Sequence, residues 1–308
     1  MGSPGTEEFS GLKINSSARA AGLCGSYSAL AEGAGAVGIN PAGLSREAGQ
    51  YRYSGSLRAH PTGANAGVVA YSRPAGTGAQ ISFSAAYLDY GSIEGLDEFG
   101  NSIGNFHPSS IYPSLTYARG GDRWRFGTTL KLASEYLGDF QGAQSSLGVG
   151  VDAGLQFRPA ARNLGFGASV VNVGQKLRGH FKGETNFGAF PASMKAGVFY
   201  HPRGLDALAI TGEAEIPWHS APGFAMGLEH KLSAQLDVRA GMHGDANDVR
   251  AVLGWTGLQS QRELYGTAPR AAGGATFRLG RADVDYAAQW WRGMGLAHAL
   301  TVAWSLGS

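Results

Sequence analysis

A single cysteine, Cys24, in 308 residues leaves no internal disulfide to form. It sits among small residues and reads as a buried small side chain. Charge is scarce as well: 25 Lys and Arg with 23 Asp and Glu make 16% of the chain, against roughly 25% in an ordinary soluble domain. The formal net charge of +2 is too small to argue for a nucleic-acid partner. No stretch approaches the roughly 18 consecutive apolar residues that a transmembrane helix needs. Enzyme signatures are missing too. There is no phosphate-binding Gly-Lys-Ser/Thr loop and no dinucleotide fingerprint. The eight histidines show no i, i+4 pair and no metal-ligand spacing. The expectation is a chain that is not an enzyme and holds no metal or cofactor. Met1–Thr6 has neither the basic region nor the apolar core of a signal peptide.

Glycine, by contrast, is abundant, with 49 residues where the average share is about 7%. It follows no three-residue period, which excludes collagen. Hydrophobic residues make up 43%, too many for a disordered linker. From Gln50 nearly to the end, apolar and polar residues alternate with period 2, the signature of strands. In Arg123–Tyr136, Trp124, Phe126, Leu130 and Leu132 oppose Arg123, Arg125, Lys131 and Glu135. In Leu147–Arg158, Val149, Val151, Leu155 and Phe157 oppose Asp152, Gln156 and Arg158. About 14 strands are read this way, near 49–58, 65–73, 78–90, 110–120, 122–137, 144–158, 162–172, 191–202, 206–217, 221–232, 234–243, 270–280, 282–293 and 296–307.

Short turns (74–77, 159–161, 202–204) alternate with long loops (91–109, 173–190, 244–269), as the two rims of an outer-membrane barrel require. Residues 248–257 alternate weakly but would break that parity, so they are read as an ordered loop. The expected fold is all-β: a transmembrane antiparallel β-barrel in the bacterial outer membrane, surrounded by its lipids. A Lys or Arg facing the bilayer midplane costs roughly 2–4 kcal/mol, so the charged faces belong in the lumen. Lys131, Glu135, Asp152, Arg239, Asp283 and Asp285 are candidates for a lumenal charge network.

Residues 1–47 differ from the barrel at 48–308. Ala18–Ser45 is rich in Ala and Gly and does not alternate. Within it, Pro41 fixes its own φ and pushes Asn40 to extended backbone, and the Asn40 side chain suits a turn. Asn40, Pro41 and Ala42 read as a structural turn before the first strand or as gating residues. The segment carries Ala18-Arg19-Ala20-x-Gly22, Ser28-Ala29-Leu30-Ala31-Glu32 and Asn40-Pro41-Ala42-Gly43-Leu44. Shorter matches follow in order, among them Tyr87-Leu88-Asp89-Tyr90-Gly91, Val151-Asp152-Ala153-Gly154, Val171-Asn172-Val173-Gly174 and Val284-Asp285-Tyr286-Ala287. Together they resemble the PorV/PorQ-type outer-membrane proteins of the wider FadL-like barrel superfamily, over about residues 9–307. The resemblance implies a 14-stranded barrel with an N-terminal hatch, or plug, folded into its lumen. It also implies a role as partner or component of type IX protein secretion and surface attachment, with secretion-machinery proteins or cargo docking on the outer loops. The FadL branch implies the alternative, a passive transporter of hydrophobic small molecules, with a hydrophobic ligand in the lumen.

Overall fold

The computed structural model describes residues 8–14, 17–138, 144–160, 163–183, 188–245, 271–291 and 293–306. Fourteen strands form one closed antiparallel barrel. In chain order they are β1 (Tyr51–Ala59), β2 (Asn65–Pro74), β3 (Ala79–Asp89), β6 (Ser109–Gly120), β7 (Trp124–Tyr136), β8 (Ser146–Phe157), β9 (Leu164–Arg178), β10 (Ser193–Tyr200), β11 (Leu208–Pro217), β12 (Gly223–Lys231), β13 (Leu236–Asp245), β14 (Ala271–Leu279), β15 (Ala282–Trp291) and β16 (Gly295–Leu306). Each pairs with its sequence neighbour in the wall. The ring closes where β1 meets β16, from Tyr51 opposite Leu306 to Ala59 opposite His298. Two further strands, β4 (Ile93–Leu96) and β5 (Ser102–Phe106), form a separate hairpin.

The alternation in the sequence becomes the two faces of the wall. Leu57, Val69, Phe83, Phe126, Leu130 and Val151 are exposed on the outside. Their strand neighbours Ser82, Thr116, Thr129, Lys131, Asp152 and Arg239 point inward and are buried. In lipid every backbone N–H and C=O must find a partner within the protein, and a closed sheet supplies one for each. Aromatic rings gather near the strand ends, as in the stack of Tyr53 on Tyr71 and the tilted contact of Trp124 with Phe157.

Strand direction fixes the rims. The connections 75–78, 121–123, 158–163, 201–207, 232–235 and 280–281 share one rim with the start of β1 and the end of β16. The connections 90–108 and 179–192 lie on the other, where β13 also ends and β14 begins. The segment 248–257, read as an ordered loop, lies outside the described residues.

Two readings need correction. Residues 91–109 are not wholly loop, because β4 and β5 pair across a turn in which the Asp97 carboxylate accepts the N–H groups of Phe99 and Asn101. Residues 173–178 are strand rather than loop, because β9 continues past a bulge to Arg178.

Val151 stands in mid-strand and is 47% exposed on the outer face. Val151→Arg is expected to lower barrel stability by roughly 2–4 kcal/mol, read from urea unfolding in lipid vesicles. An unchanged unfolding midpoint would mean that this face does not meet lipid.

Candidate functional site

The inward side chains of the wall meet the N-terminal segment, which runs through α1 (Ala18–Gly22) and tight 3-10 turns at Gly33–Ala36 and Pro41–Glu47. The wall supplies hydrogen bonds that the segment cannot make within itself. The Glu213 carboxylate accepts the N–H groups of Tyr27 (2.9 Å) and Ser28 (2.7 Å). The Gln156 amide donates to the carbonyls of Ser28 (3.0 Å) and Ala31 (2.9 Å). Ser169 donates to Ile39 O at 2.6 Å, Gln289 to Ala21 O at 2.9 Å, and Thr301 accepts from Ala18 N at 3.0 Å. A buried backbone group left without a partner costs about 1–3 kcal/mol, so these bonds offset most of what burying the segment would cost. The approach is close. A Cβ on Gly127, Gly154, Gly167 or Gly241 would fall inside the atoms of Pro41, Asn40, Ser28 and Leu23 respectively.

Asn40, Pro41 and Ala42 are buried together against β7 and β8. Asn40 Nδ2 donates to Ser28 O and to Leu155 O, each at 3.0 Å, and its Oδ1 accepts from Ala42 N at 3.2 Å. One side chain thus ties the segment to itself and to the wall. The six charged candidates do not form one network. They fall into separate clusters.

Lys131 and Asp152 form the first. Their Nζ and Oδ2 lie 2.7 Å apart and both side chains are buried. Opposite Asp152, β9 carries one extra residue. Val151 faces Val173 and Ala153 faces Val170, so Val171 and Asn172 share the place of one residue. Asn172 takes φ +58°, a left-handed conformation that Asn tolerates better than most residues. Its freed N–H donates to Asp152 Oδ1 at 2.7 Å, and its Oδ1 accepts from Lys131 Nζ at 2.6 Å. The bulge therefore completes the coordination of a buried ion pair.

Arg239 and Asp285 form the second cluster, 3.0 Å apart, with Glu229 at 3.3 Å from Arg239 and bonded in turn to Arg19 of α1 at 2.7 Å. Arg19 also reaches Glu32. Asp283 belongs to a third, with Arg52 and Glu47. Glu135 stands apart and accepts from the Tyr112 hydroxyl at 3.0 Å.

One strand step from Lys131 and Asp152 toward the rim where β7 ends, the lumen turns apolar. Phe9, Tyr112, Ala133 and Phe190 form a buried cluster, with the Phe9 and Phe190 rings 5.0 Å apart. Phe9 is fully buried, and the missing side chain of Gly148 leaves room for both rings. Glu8 fastens this end of the segment. Its carboxylate lies 2.5 Å from Lys176 Nζ and accepts Gly188 N–H at 3.0 Å. Sequence reasoning missed Phe9, Phe190 and the bulge at Asn172, because each acts through a partner far away along the chain. Only the paired glycines Gly148 and Gly150 hinted that something packs there. Among the described residues, no three His, Cys, Asp or Glu side chains converge to hold a metal.

A closed wall of 14 strands, apolar outside and charged within, defines a β-barrel of the outer-membrane type. Among solved structures, the chain is similar to the P. putida toluene transporter TodX, with a TM-score of 0.59 and 12% identity over 90% of this chain and 94% of that one. A second TodX structure, described as a monoaromatic hydrocarbon channel carrying the deltaS2 mutation, gives the same TM-score and identity over 89% and 93%. At that identity the likeness shows the fold. No protein-family model matches the chain, and no curated protein matches its sequence. The PorV/PorQ resemblance and the type IX secretion role it implied find no support in these comparisons.

Two outcomes follow from these contacts. Lys131→Met leaves the Asp152 carboxylate buried and unpaired and is expected to cost roughly 3–5 kcal/mol of stability; adding Asp152→Asn should recover part of it, both read from urea unfolding in vesicles. The second concerns pH. Burial pushes the Glu47 carboxyl from 4.5 up to about 7, against the pull of Arg52, which lies 3.0 Å away but is shared with Asp283. A raised carboxyl pKa favours the packed state while the group is neutral. That contribution is complete below about 4.5 and is lost as pH rises through about 7. Amide exchange in residues 41–47, corrected for its intrinsic pH dependence, should therefore quicken between about pH 4.5 and pH 7 and level off above, and Glu47→Gln should flatten the response.

Proposed function

We propose that the barrel is a passive channel for hydrophobic small molecules across the outer membrane, with the N-terminal segment as its hatch. The observation that carries this reading is the apolar cluster of Phe9, Phe190, Tyr112 and Ala133, buried inside the lumen toward the rim where β7 ends. A pore for ions or polar solutes gains nothing from burying two phenyl rings in contact there. A pore for an apolar molecule needs such a place, because transfer from water into it is worth about 25 cal/mol per Å² of apolar surface. Phe9 stands where that molecule would sit. The segment behind it is held mainly by hydrogen bonds and ion pairs to the wall, so it can re-pair with water or with other wall groups when it shifts. The fold shared with TodX, described as a toluene transporter, fits this reading. The secretion role rests on short sequence matches alone.

The test is uptake. Cells producing the protein, and lacking their own hydrocarbon channels, should take up radiolabelled toluene several-fold faster than cells with an empty vector. Phe190→Glu, which puts a charge into the apolar cluster, should abolish the gain while the barrel still reaches the membrane. Equal uptake with and without the protein would defeat the transport reading.

A further inference from the structure

The outer face of the wall holds a feature that transport through the lumen does not use. On β1 and β3, Gly55 and Ala85 flank Val69 of β2, and one row along the strands Gly67 of β2 stands between Leu57 and Tyr87, so three positions where the wall elsewhere carries large side chains are small. Around them stand Leu57 and Val69, 67% and 65% exposed, with Tyr87 and Leu300. The result is a recess of about 440 Å³ lined without a single charged residue, within the size range of ligand pockets. One step along β16 from Leu300, on the same outward face, is His298. Its Nδ1 lies 2.7 Å from the Tyr286 hydroxyl, and the two rings are stacked. His298 Nε2 has no partner among the described residues, on a face otherwise given over to lipid.

We propose that this recess and His298 form a seat for one membrane lipid, with an acyl chain lying over Gly55, Gly67 and Ala85 and the polar linkage above it meeting His298 Nε2. The medium around this face is the bilayer, so the apolar matter that reaches the recess is acyl chain. A second barrel fits it poorly. Two convex walls touch along their highest points, here Leu57 and Val69, and leave a hollow beneath them unfilled, with the contacts of its lining lost. A flexible unbranched chain enters where a ridge cannot. The polar end follows from the cost of the alternative, because a ring nitrogen left unpaired in hydrocarbon is strongly unfavourable. The ester or phosphate oxygen of a lipid supplies the missing partner.

The test uses native mass spectrometry of the purified full chain, released from detergent after incubation with palmitoyl-oleoyl phosphatidylglycerol. The wild-type barrel should retain one lipid at collision energies that strip the rest. Gly67→Leu with Ala85→Leu fills the recess and should lose the retained lipid, while Gly212→Leu, on the outer face of β11, should keep it. His298→Phe preserves the ring and removes the nitrogen. It should weaken retention by about three- to tenfold, the worth of one hydrogen bond. Heat-modifiable gel mobility shows which variants are folded, and if the double variant is not, His298→Phe alone decides. Equal retention by wild type and His298→Phe, or by wild type and the folded filled variant, would overturn the proposal. So would a dimer mass that the filled variant loses, since the occupant would then be a second copy. None of these readouts depends on transport.

Discussion

Everything in this molecule depends on the seam between its first and last strands. Nine residue pairs, from Tyr51–Leu306 to Ala59–His298, turn a sheet with two raw edges into a wall with none. In lipid that closure is compulsory, because an open edge leaves backbone groups unpaired in hydrocarbon. Closure at 14 strands then creates a second problem. Eight strands already enclose an interior that side chains can fill, and fourteen enclose much more. The wall answers with inward charges that need partners, and the N-terminal segment supplies a good share of them. Glu229 finds Arg19, Gln156 finds the carbonyls of Ser28 and Ala31, and Glu213 finds two N–H groups. The segment is too poor in large apolar residues to hold a core alone, and the lumen is too wide to stand without filler.

Small residues serve both faces of this wall, to different ends. Inside, Gly127, Gly154, Gly167 and Gly241 let the segment's backbone approach to contact distance. Outside, Gly55, Gly67 and Ala85 hollow the lipid-facing surface. The Lys131–Asp152 pair shows what the interior demands of the wall itself. The wall there bends, adds a residue to β9 and turns Asn172 into the left-handed region so that its N–H and side chain complete the pair. A buried ion pair is favourable only when further hydrogen bonds support it, and the bulge supplies one to each partner.

The strands were legible because a wall with lipid on one side and polar groups on the other writes period 2 into the chain. The reading of Arg123–Tyr136 separates Leu130 from Lys131 in the sequence and on the barrel alike. What stayed hidden was pairing at a distance. Asp283 is visibly a lumenal charge, but nothing near it in sequence announces Arg52 of β1. The Val171–Asn172 bulge hides inside Val-Asn-Val-Gly, which alternates like any regular strand. The β4–β5 hairpin is too short to show a period. Phe9 lies before the barrel and acts only through Phe190. The finer, PorV/PorQ part of the resemblance finds no support for a related reason. Runs such as Val-Asp-Ala-Gly and Arg-Ala-Gly record a wall's alternation and its small inner residues, which barrels of many kinds share.

The placement of the segment also constrains how the chain folds. Tyr51 and Leu306 lie at opposite ends of the barrel's sequence, so the seam between them is the least local contact in the sheet and belongs among the last to form. The segment enters the lumen directly before β1, and its contacts reach right round the wall, to β7 and β8 on one side and to β14, β15 and the seam strand β16 on the other. A ring already closed would have to be threaded. The filler must therefore lie in the half-built trough while β1 and β16 are still apart, and barrel closure is the step that encloses it.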